Sequence, residues 1–200
     1  MSYRKEKKFK FTKSEFLKIK DDFHKSGMKT LFSKRKINSI YFDNKNYDIY
    51  HDSEEGVLPR KKIRIRWYDK DNEYNKEIKI SSHEGRYKFK KKINLENTKN
   101  SIKDLTFYDQ FYGNLNAVIL ITYERDYYSF KNLRITFDNN ISYTNLKDLK
   151  YTNLEENYCV MEIKAEYETS DDYIERIFNH STSRFSKYCN GINNLNLLNY

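Results

Sequence analysis

The stretch Lys62-Ile63-Arg64-Ile65-Arg66-Trp67 alternates cationic and apolar side chains without interruption. Successive side chains of a β-strand point to opposite faces, so this segment predicts a strand with one cationic face and one apolar face. The same alternation of charged with apolar residues recurs in the segments 77–80, 86–90, 133–138 and 161–166. Its repetition predicts an antiparallel sheet whose apolar face packs on a hydrophobic core.

Outward from this stretch, period-two alternation predicts eight strands. They lie near residues 4–11, 37–43, 60–68, 74–81, 86–93, 117–126, 133–139 and 158–167. Between the strands, Thr12-x-x-Glu15 forms a capping-box pattern and predicts a helix that stops near Gly27. A second helix is expected at about 101–112, and a third begins after Ser170 and resumes after a break beyond residue 185.

The composition of the chain limits the classes of protein that it can represent. Its 200 residues include 38 Lys and Arg against 29 Asp and Glu, and the net charge of +9 indicates a polyanionic partner such as a phosphate chain, nucleic acid or anionic membrane surface. The 19 Tyr and 13 Phe supply aromatic mass for a core. Without repeats or linkers, one domain is expected over residues 1–200. No transmembrane run or export leader is found in the sequence, which predicts a cytoplasmic location.

The charged strand faces have two interpretations. Each strand alone is best explained by an ordinary antiparallel sheet whose polar face meets water. Taken together, the faces are rich in Lys and Arg, whereas a solvated face usually mixes polar types and both charge signs. The alternative is an eight-stranded antiparallel β-barrel with helices packed outside and a charged lumen. Like charges in such a lumen are costly unless the lumen is hydrated or holds a polyanion. We therefore predict a mainly-β α+β fold of this barrel type.

The residues on these faces are suited to phosphate chemistry. Arginine binds phosphate oxygens bidentately and lysine supplies a compact charge. Carboxylates among the cations are hard ligands for Mg²⁺ or Mn²⁺, and Glu162 is the first candidate, followed by Glu6 and Glu77. Each carboxylate alone is better explained as an ion-pair partner. The histidines lack metal-site spacing, and the sequence contains no Walker A loop, G-x-G-x-x-G or G-x-S-x-G motif.

Eight short segments occur in an order that resembles the VTC domain, the polyphosphate polymerase branch of the triphosphate tunnel metalloenzymes. They are Tyr3-Arg4-Lys5-Glu6-Lys7-Lys8-Phe9, Ser39-Ile40-Tyr41-Phe42-Asp43, Lys62-Ile63-Arg64-Ile65-Arg66-Trp67-Tyr68, Glu77-Ile78-Lys79, Tyr123-Glu124-Arg125, Arg134-Ile135-Thr136-Phe137-Asp138, Met161-Glu162-Ile163-Lys164 and Phe185-Ser186-Lys187-Tyr188. The resemblance extends from about Tyr3 to Gly191 and implies an eight-stranded tunnel fold.

The resemblance implies transfer of the γ-phosphate of ATP, or of another nucleoside triphosphate, onto a polyphosphate chain with Mn²⁺ or Mg²⁺. It assigns catalytic phosphate ligands, further substrate-binding residues and metal ligands. The catalytic ligands are Lys8, Arg64, Arg66, Lys79, Arg125 and Arg134; the substrate-binding residues are Lys88, Lys90, Tyr123, Lys164, Ser186 and Lys187; the metal ligands are Glu162 and, more weakly, Glu6.

Two other functions stay open at this point: an inorganic or nucleoside triphosphatase, and a non-catalytic module that binds polyphosphate or nucleic acid. Arg4 stands where the wider superfamily has the first Glu of Glu-x-Glu-x-Lys, which weakens the simple triphosphatase interpretation. The expected partners are a nucleoside triphosphate and polyphosphate or pyrophosphate. Nucleic acid is less favoured, and a membrane-protein partner is left open.

Overall fold

The computed structural model describes residues 4–69, 71–94, 102–147 and 152–199. Strands dominate these ranges. They are β1 (Arg4–Thr12), β2 (Lys29–Asp43), β3 (Arg60–Tyr68), β4 (Asp71–Ser82), β5 (Gly85–Ile93), β6 (Thr106–Asp109), β7 (Gly113–Phe130), β8 (Leu133–Asn145), β9 (Asn153–Glu155) and β10 (Tyr158–Glu166). The α-helices are α1 (Lys13–Lys25), α2 (Asp48–Glu55), α3 (Asp171–Ile177) and α4 (Lys187–Asn194).

The principal strands follow the order β1-β10-β8-β7-β2-β3-β4-β5, with β6 beside β7 and β9 beside β8. The pairs β1/β10, β10/β8, β2/β3, β3/β4 and β4/β5 are antiparallel. Each of the eight predicted strands overlaps one strand of this path. The prediction of a mainly-β α+β chain with eight principal antiparallel strands is therefore confirmed.

The chain divides into two compact units. The first contains the described residues up to 36 together with 123–141 and 156–185, and the second contains those of 37–122, 142–155 and 186–199. Strands β2, β7 and β8 contribute residues to both units. That residues 1–200 form a single domain stays a prediction.

In the first unit, the apolar face of β1, β8 and β10 packs with α1 and α3. Phe9 pairs with Met161, and Met161 pairs with Phe137, so these side chains share one face. Phe16 of α1 contacts Phe137 edge-on, with 5.2 Å between the ring centroids. Helix α1 begins where the sequence predicts, because the Thr12 hydroxyl accepts from the Glu15 backbone N–H and the Glu15 carboxylate accepts from the Thr12 N–H.

In the second unit, α4 packs closely enough to require a glycine. A Cβ atom at Gly191 would lie 2.5 Å from Ile119 Cδ1 and 2.7 Å from Tyr143 Cδ1. Both neighbours are fully buried, so neither has free space into which it can move. The glycine at this position therefore sets how closely the helix approaches the strands.

The prediction of a helix at about 101–112 is wrong for the described part of that segment; residue 101 lies outside the described residues. Ile102–Asp104 forms a single 3₁₀ turn, and Thr106–Asp109 forms β6, which pairs with β7. The β-branched and aromatic residues of this segment favour a strand, and a turn that ends at Gly113, with φ of +70°, returns the chain to β7. Hydrogen bonding to an existing strand outweighs a weak helical pattern.

Helix α2 was not predicted, because its N-terminus has no local capping signature. Its N-cap residue, Tyr47, makes no side-chain capping bond. The carboxylate of Asp43, at the end of β2, instead accepts hydrogen bonds from the backbone N–H groups of Ile49 at 3.1 Å and Tyr50 at 3.0 Å. None of the helices in the described ranges is both long enough and apolar enough to cross a membrane.

Candidate functional site

Three lysines form a row across β3, β4 and β5 in the second unit. Lys62 is directly opposite Lys79, and Lys79 is directly opposite Lys88. Residues paired in this way share one face of the sheet, and like charges placed directly opposite each other are destabilising. A bound anion would relieve that repulsion. We call these three residues the lysine row.

The next row of the same face is organised around Glu77. Its Oε2 atom accepts from Arg64 Nε at 2.9 Å and Arg64 Nη2 at 2.6 Å, and its Oε1 atom lies 2.7 Å from Lys88 Nζ. Arg66 Nη1 lies 3.8 Å from Oε2. Although burial alone would raise the pKa of Glu77, Arg64, Arg66 and Lys88 lower it to about 2. Glu77 therefore stays ionised and holds the surrounding cations in place.

Hydrogen bonds from β2 orient both arginines. Arg64 Nη1 donates to the Tyr41 hydroxyl at 2.7 Å, and Arg66 Nε donates to Ser39 Oγ at 3.0 Å. Burial would raise the pKa of Tyr41, but the adjacent Arg64 and Arg66 lower it to about 8. The two guanidinium groups are thus positioned by protein contacts before any ligand binds.

Helix α4 lies against this polar face of the second unit. The ring of Tyr188 stacks on that of Tyr41, with centroids 5.1 Å apart and planes within 16°. Ser186, the N-cap of α4, accepts hydrogen bonds from Lys62 Nζ at 2.8 Å and from the Cys189 N–H at 3.3 Å. The Tyr188 hydroxyl donates to the buried carboxylate of Asp43. The Asp43 contact fixes the helix, and Ser186 at its N-terminus contacts Lys62 of the lysine row.

The first unit carries a second polar cluster, on the face of β1, β8 and β10 opposite its core. Glu162 is directly opposite Lys8 and Thr136, and Lys164 is directly opposite Glu6 and Arg134. Lys164 Nζ lies 3.4 Å from Glu162 Oε1 and 3.7 Å from Glu6 Oε1. Carboxylates and cations alternate in this second cluster, so it is nearly neutral. The cationic residues around Glu77 in the second unit are not balanced in this way.

Arg125 connects the acidic residues of this second cluster. Its Nη2 atom donates to Asp138 Oδ2 at 2.7 Å and lies 3.9 Å from Glu162 Oε2. Its guanidinium carbon lies 5.3 Å from the centroid of the Tyr123 ring. Burial would raise the pKa of Glu162, but Lys164, Arg125 and Lys8 together lower it to about 2. Glu162 is therefore ionised at neutral pH despite being 9% exposed.

Two buried polar atoms on the same face of β8 have no hydrogen-bond partner among the described residues: Arg134 Nε and Thr136 Oγ1. Buried polar groups are nearly always hydrogen-bonded, so each such exception needs an explanation. Both atoms can donate a hydrogen bond, and both belong to the row that includes Glu162 or Lys164. An oxygen-rich anion at this position would satisfy them.

The carboxylates of Glu162 and Glu6 are hard oxygen donors of the kind that Mg²⁺ and Mn²⁺ prefer. Within the ranges that the structure describes, no three Asp, Glu, His or Cys side chains are grouped so that they could hold a metal ion. Mg²⁺ is commonly held by one or two carboxylates together with phosphate oxygens. The residues present thus fit a divalent ion that binds together with a phosphate ligand.

The predicted site residues fall into two groups, one in each unit. The second unit contains Arg64, Arg66, Lys79, Lys88, Lys90, Ser186 and Lys187, and the first contains Glu6, Lys8, Tyr123, Arg125, Arg134, Glu162 and Lys164. Lys90 is opposite Glu77 on β5 and is exposed. Lys8 Nζ donates to the Phe185 carbonyl at 2.8 Å.

The site prediction missed Lys62, Tyr41 and Asp138. Lys62 and Asp138 lie in alternating segments that were recognised as strands. Their placement on the charged faces could therefore have been predicted from the two-residue period of side chains in a strand. For Tyr41, only the register of β2 with β3 reveals that it is opposite Arg64.

The sequence matches the VTC domain over residues 3–196. No curated protein matches it. Among solved structures, a candidate adenylate cyclase from Bacillus halodurans is 12% identical, with a TM-score of 0.58 over 93% of this chain and 96% of that one. A conserved hypothetical protein from Pyrococcus furiosus is 14% identical, with a TM-score of 0.56 over 93% and 99%.

A candidate adenylyl cyclase from Hippeastrum with a dominant triphosphatase activity is 13% identical to this chain. Its TM-score is 0.54, over 96% of each chain. At this level of identity, the three likenesses show a common fold and do not transfer an activity. They confirm the predicted triphosphate tunnel fold.

Proposed function

Because this chain belongs to the VTC domain family, we propose that it is a metal-dependent phosphotransferase that extends polyphosphate with the γ-phosphate of ATP or another nucleoside triphosphate. The observation that carries the proposal is the lysine row beside Arg64 and Arg66, where like charges are directly opposite each other and Glu77 contacts Arg64, Arg66 and Lys88. A ligand that supplies several linked negative charges suits this arrangement. The second cluster, with carboxylates and donors together, suits a phosphate bound with a divalent ion.

In this reaction, a terminal oxygen of polyphosphate attacks the γ-phosphorus of the nucleotide, and the bond to the β-phosphate oxygen breaks. The products are a chain longer by one phosphate and a nucleoside diphosphate. Catalysis of such a transfer depends on positioning and on neutralising charge, and it requires no covalent protein nucleophile. Arg64 is prepared for this role, because Glu77 and Tyr41 hold its guanidinium in one orientation.

Triphosphate tunnel metalloenzymes generally use divalent metal ions. Glu162, with Glu6 as a further ligand, would hold Mn²⁺ or Mg²⁺ together with phosphate oxygens, and the bound ion would supply neutralisation of charge on the transferring group. Lys164 lies between the two carboxylates and offsets their charge while no ion is bound. Lys164, Arg125 and Lys8 lower the pKa of Glu162, so its carboxylate is ionised and able to act as a ligand.

The activity test combines purified protein, ATP, Mn²⁺ and a short polyphosphate primer. Products are resolved on a gel stained for phosphate chains, and free phosphate is measured in parallel. We expect a ladder that lengthens with time in the wild type and is lost in Lys79→Ala and Arg64→Ala. Lys25→Ala, which removes an exposed ion pair with Asp21 on α1, is the matched control and should behave as wild type.

The outcomes separate the three functions. Free phosphate without a ladder would identify a triphosphatase, and binding of polyphosphate without either product would identify a binding module. Equal activity of Arg64→Ala and the wild type would show that the face bearing the lysine row is not the site. A cytoplasmic location and a membrane-protein partner stay predictions.

A further inference from the structure

The first half of β2 is unusual because it is exposed along its whole length. Residues 29–36 are all exposed, whereas residues 37–43 of the same strand are all buried. The exposed half carries Phe32, whose side chain is 49% exposed. A large aromatic ring that is half in water in a strand otherwise rich in Lys and Arg is not explained by core packing.

Phe32 is part of an aromatic pair. Its ring contacts that of Tyr127 on β7 edge-on, with centroids 5.8 Å apart and planes at 86°. Tyr127 is 6% exposed and is therefore held firmly in place by its surroundings. In this pair, the half-exposed ring of Phe32 therefore packs against the buried ring of Tyr127.

Two guanidinium groups flank this pair. The Arg35 guanidinium carbon lies 5.9 Å from the Phe32 centroid and 5.7 Å from that of Tyr127. The corresponding distances for Arg134 are 5.9 Å and 5.8 Å. Both arginines are within the range of cation–π attraction, so the four side chains form one cluster. The cluster combines the half-exposed ring of Phe32 with two guanidinium groups over the aromatic pair, which suits a flat, π-rich ligand that carries negative charge.

Arg134 joins this cluster to the polar residues of the first unit. It is directly opposite Lys164 on β10 and two positions along β8 from Thr136, which is directly opposite Glu162. Two residues along a strand span about 7 Å, and neighbouring strands are about 5 Å apart. Because the Arg134 guanidinium is within about 6 Å of both rings, a phosphate group at Arg134 and Lys164 would lie beside the aromatic pair. The Arg134 Nε atom, which lacks a partner among the described residues, could donate to that phosphate.

We propose that Phe32, Tyr127, Arg35 and Arg134 bind the nucleoside part of the phosphate donor. The base stacks on the exposed part of the Phe32 ring, and Arg134 binds the phosphate nearest the ribose. This inference rests on the proposed function, since it assigns the base of the nucleoside triphosphate used there. Stacking accepts any base, because every base has a π face. Purine nucleotides with different hydrogen-bonding edges should therefore bind with similar affinity.

The test compares ATP with inorganic tripolyphosphate, which has the phosphates and no base. Dissociation constants for both are measured by calorimetry in the presence of Mg²⁺ for the wild type, Phe32→Ala and Phe32→Tyr. Loss of one base–aromatic stack corresponds to about 5- to 150-fold in affinity. We expect Phe32→Ala to lower the affinity for ATP by that factor and the affinity for tripolyphosphate by less than about twofold. Phe32→Tyr should retain the affinity for ATP, because it retains the aromatic ring.

Leu31→Ala is the matched control, because Leu31 is the adjacent residue of the same strand half and is 41% exposed. It should leave both affinities unchanged. Unchanged ATP affinity in Phe32→Ala, or equal weakening of ATP and tripolyphosphate, would overturn the base site while leaving phosphate binding intact. A wild type that binds neither compound would overturn the proposed function as well.

Discussion

Replacing Glu77 by Gln should destabilise the protein at neutral pH and have little effect in strong acid. The substitution keeps the volume of the side chain and removes the charge that Arg64, Arg66 and Lys88 surround. Glu77 is 4% exposed, so water cannot replace the lost carboxylate. The cations would then repel one another without an anion between them.

The magnitude follows from the pKa of Glu77, which falls from an ordinary 4.5 to about 2 in the folded protein. A difference of that size corresponds to about 3 kcal/mol of unfolding free energy. Because the folded-state pKa is the lower one, this stabilisation is complete above about pH 4.5 and is lost as the pH falls through about 2. About half of it should remain at pH 3. In a chain of this length, about 3 kcal/mol lowers the melting temperature by about 6–12 °C.

The measurement is denaturant unfolding of the wild type and Glu77→Gln at pH 7 and at pH 3. Glu175→Gln is the control, because Glu175 also pairs with a lysine but its side chain is 69% exposed, and such pairs contribute little. Equal stability of Glu77→Gln and the wild type at pH 7 would refute the reasoning. So would a difference that stays the same at pH 3, since it could not then come from the charge.

Two further predictions concern packing and ligand linkage. Gly191→Ala should cost about 1–3 kcal/mol, because its Cβ would clash with Ile119 and Tyr143; unchanged stability in denaturant unfolding would contradict this packing. Polyphosphate at about 100 times its dissociation constant should stabilise the protein by about 2.7 kcal/mol, or about 5–11 °C in melting temperature. High salt should reduce the shift, since the contacts are ionic. No shift at low salt would count against phosphate binding by the lysine row.

Several elements of the fold could be predicted because they depend on neighbouring residues in the chain. The alternation around Arg64 places its strand correctly, since the period of side chains in a strand is a local property. Helix α1 begins directly after its N-cap, Thr12, because both halves of the capping box lie within four residues. Helix α3 is likewise capped by Ser170, which precedes it directly.

Other features could not be predicted, because they depend on residues that meet only in the folded chain. The cap of α2 is the carboxylate of Asp43, which no local motif identifies. Segment 106–109 becomes a strand because β7 is beside it to accept its hydrogen bonds. The ion pairs of Glu77 with Arg64 and Lys88 join three different strands, and its role as a candidate metal ligand stays a prediction.

The sequence by itself determined which residues carry charge, which strand face each occupies, and the family to which the chain belongs. These follow from residue type, period two and the order of motifs. Only the tertiary structure decided which charges are neighbours, because strand register sets whether Lys79 faces another lysine or a carboxylate. The contact of Phe32 with Arg134 likewise depends on how separate strands associate, which no local pattern encodes.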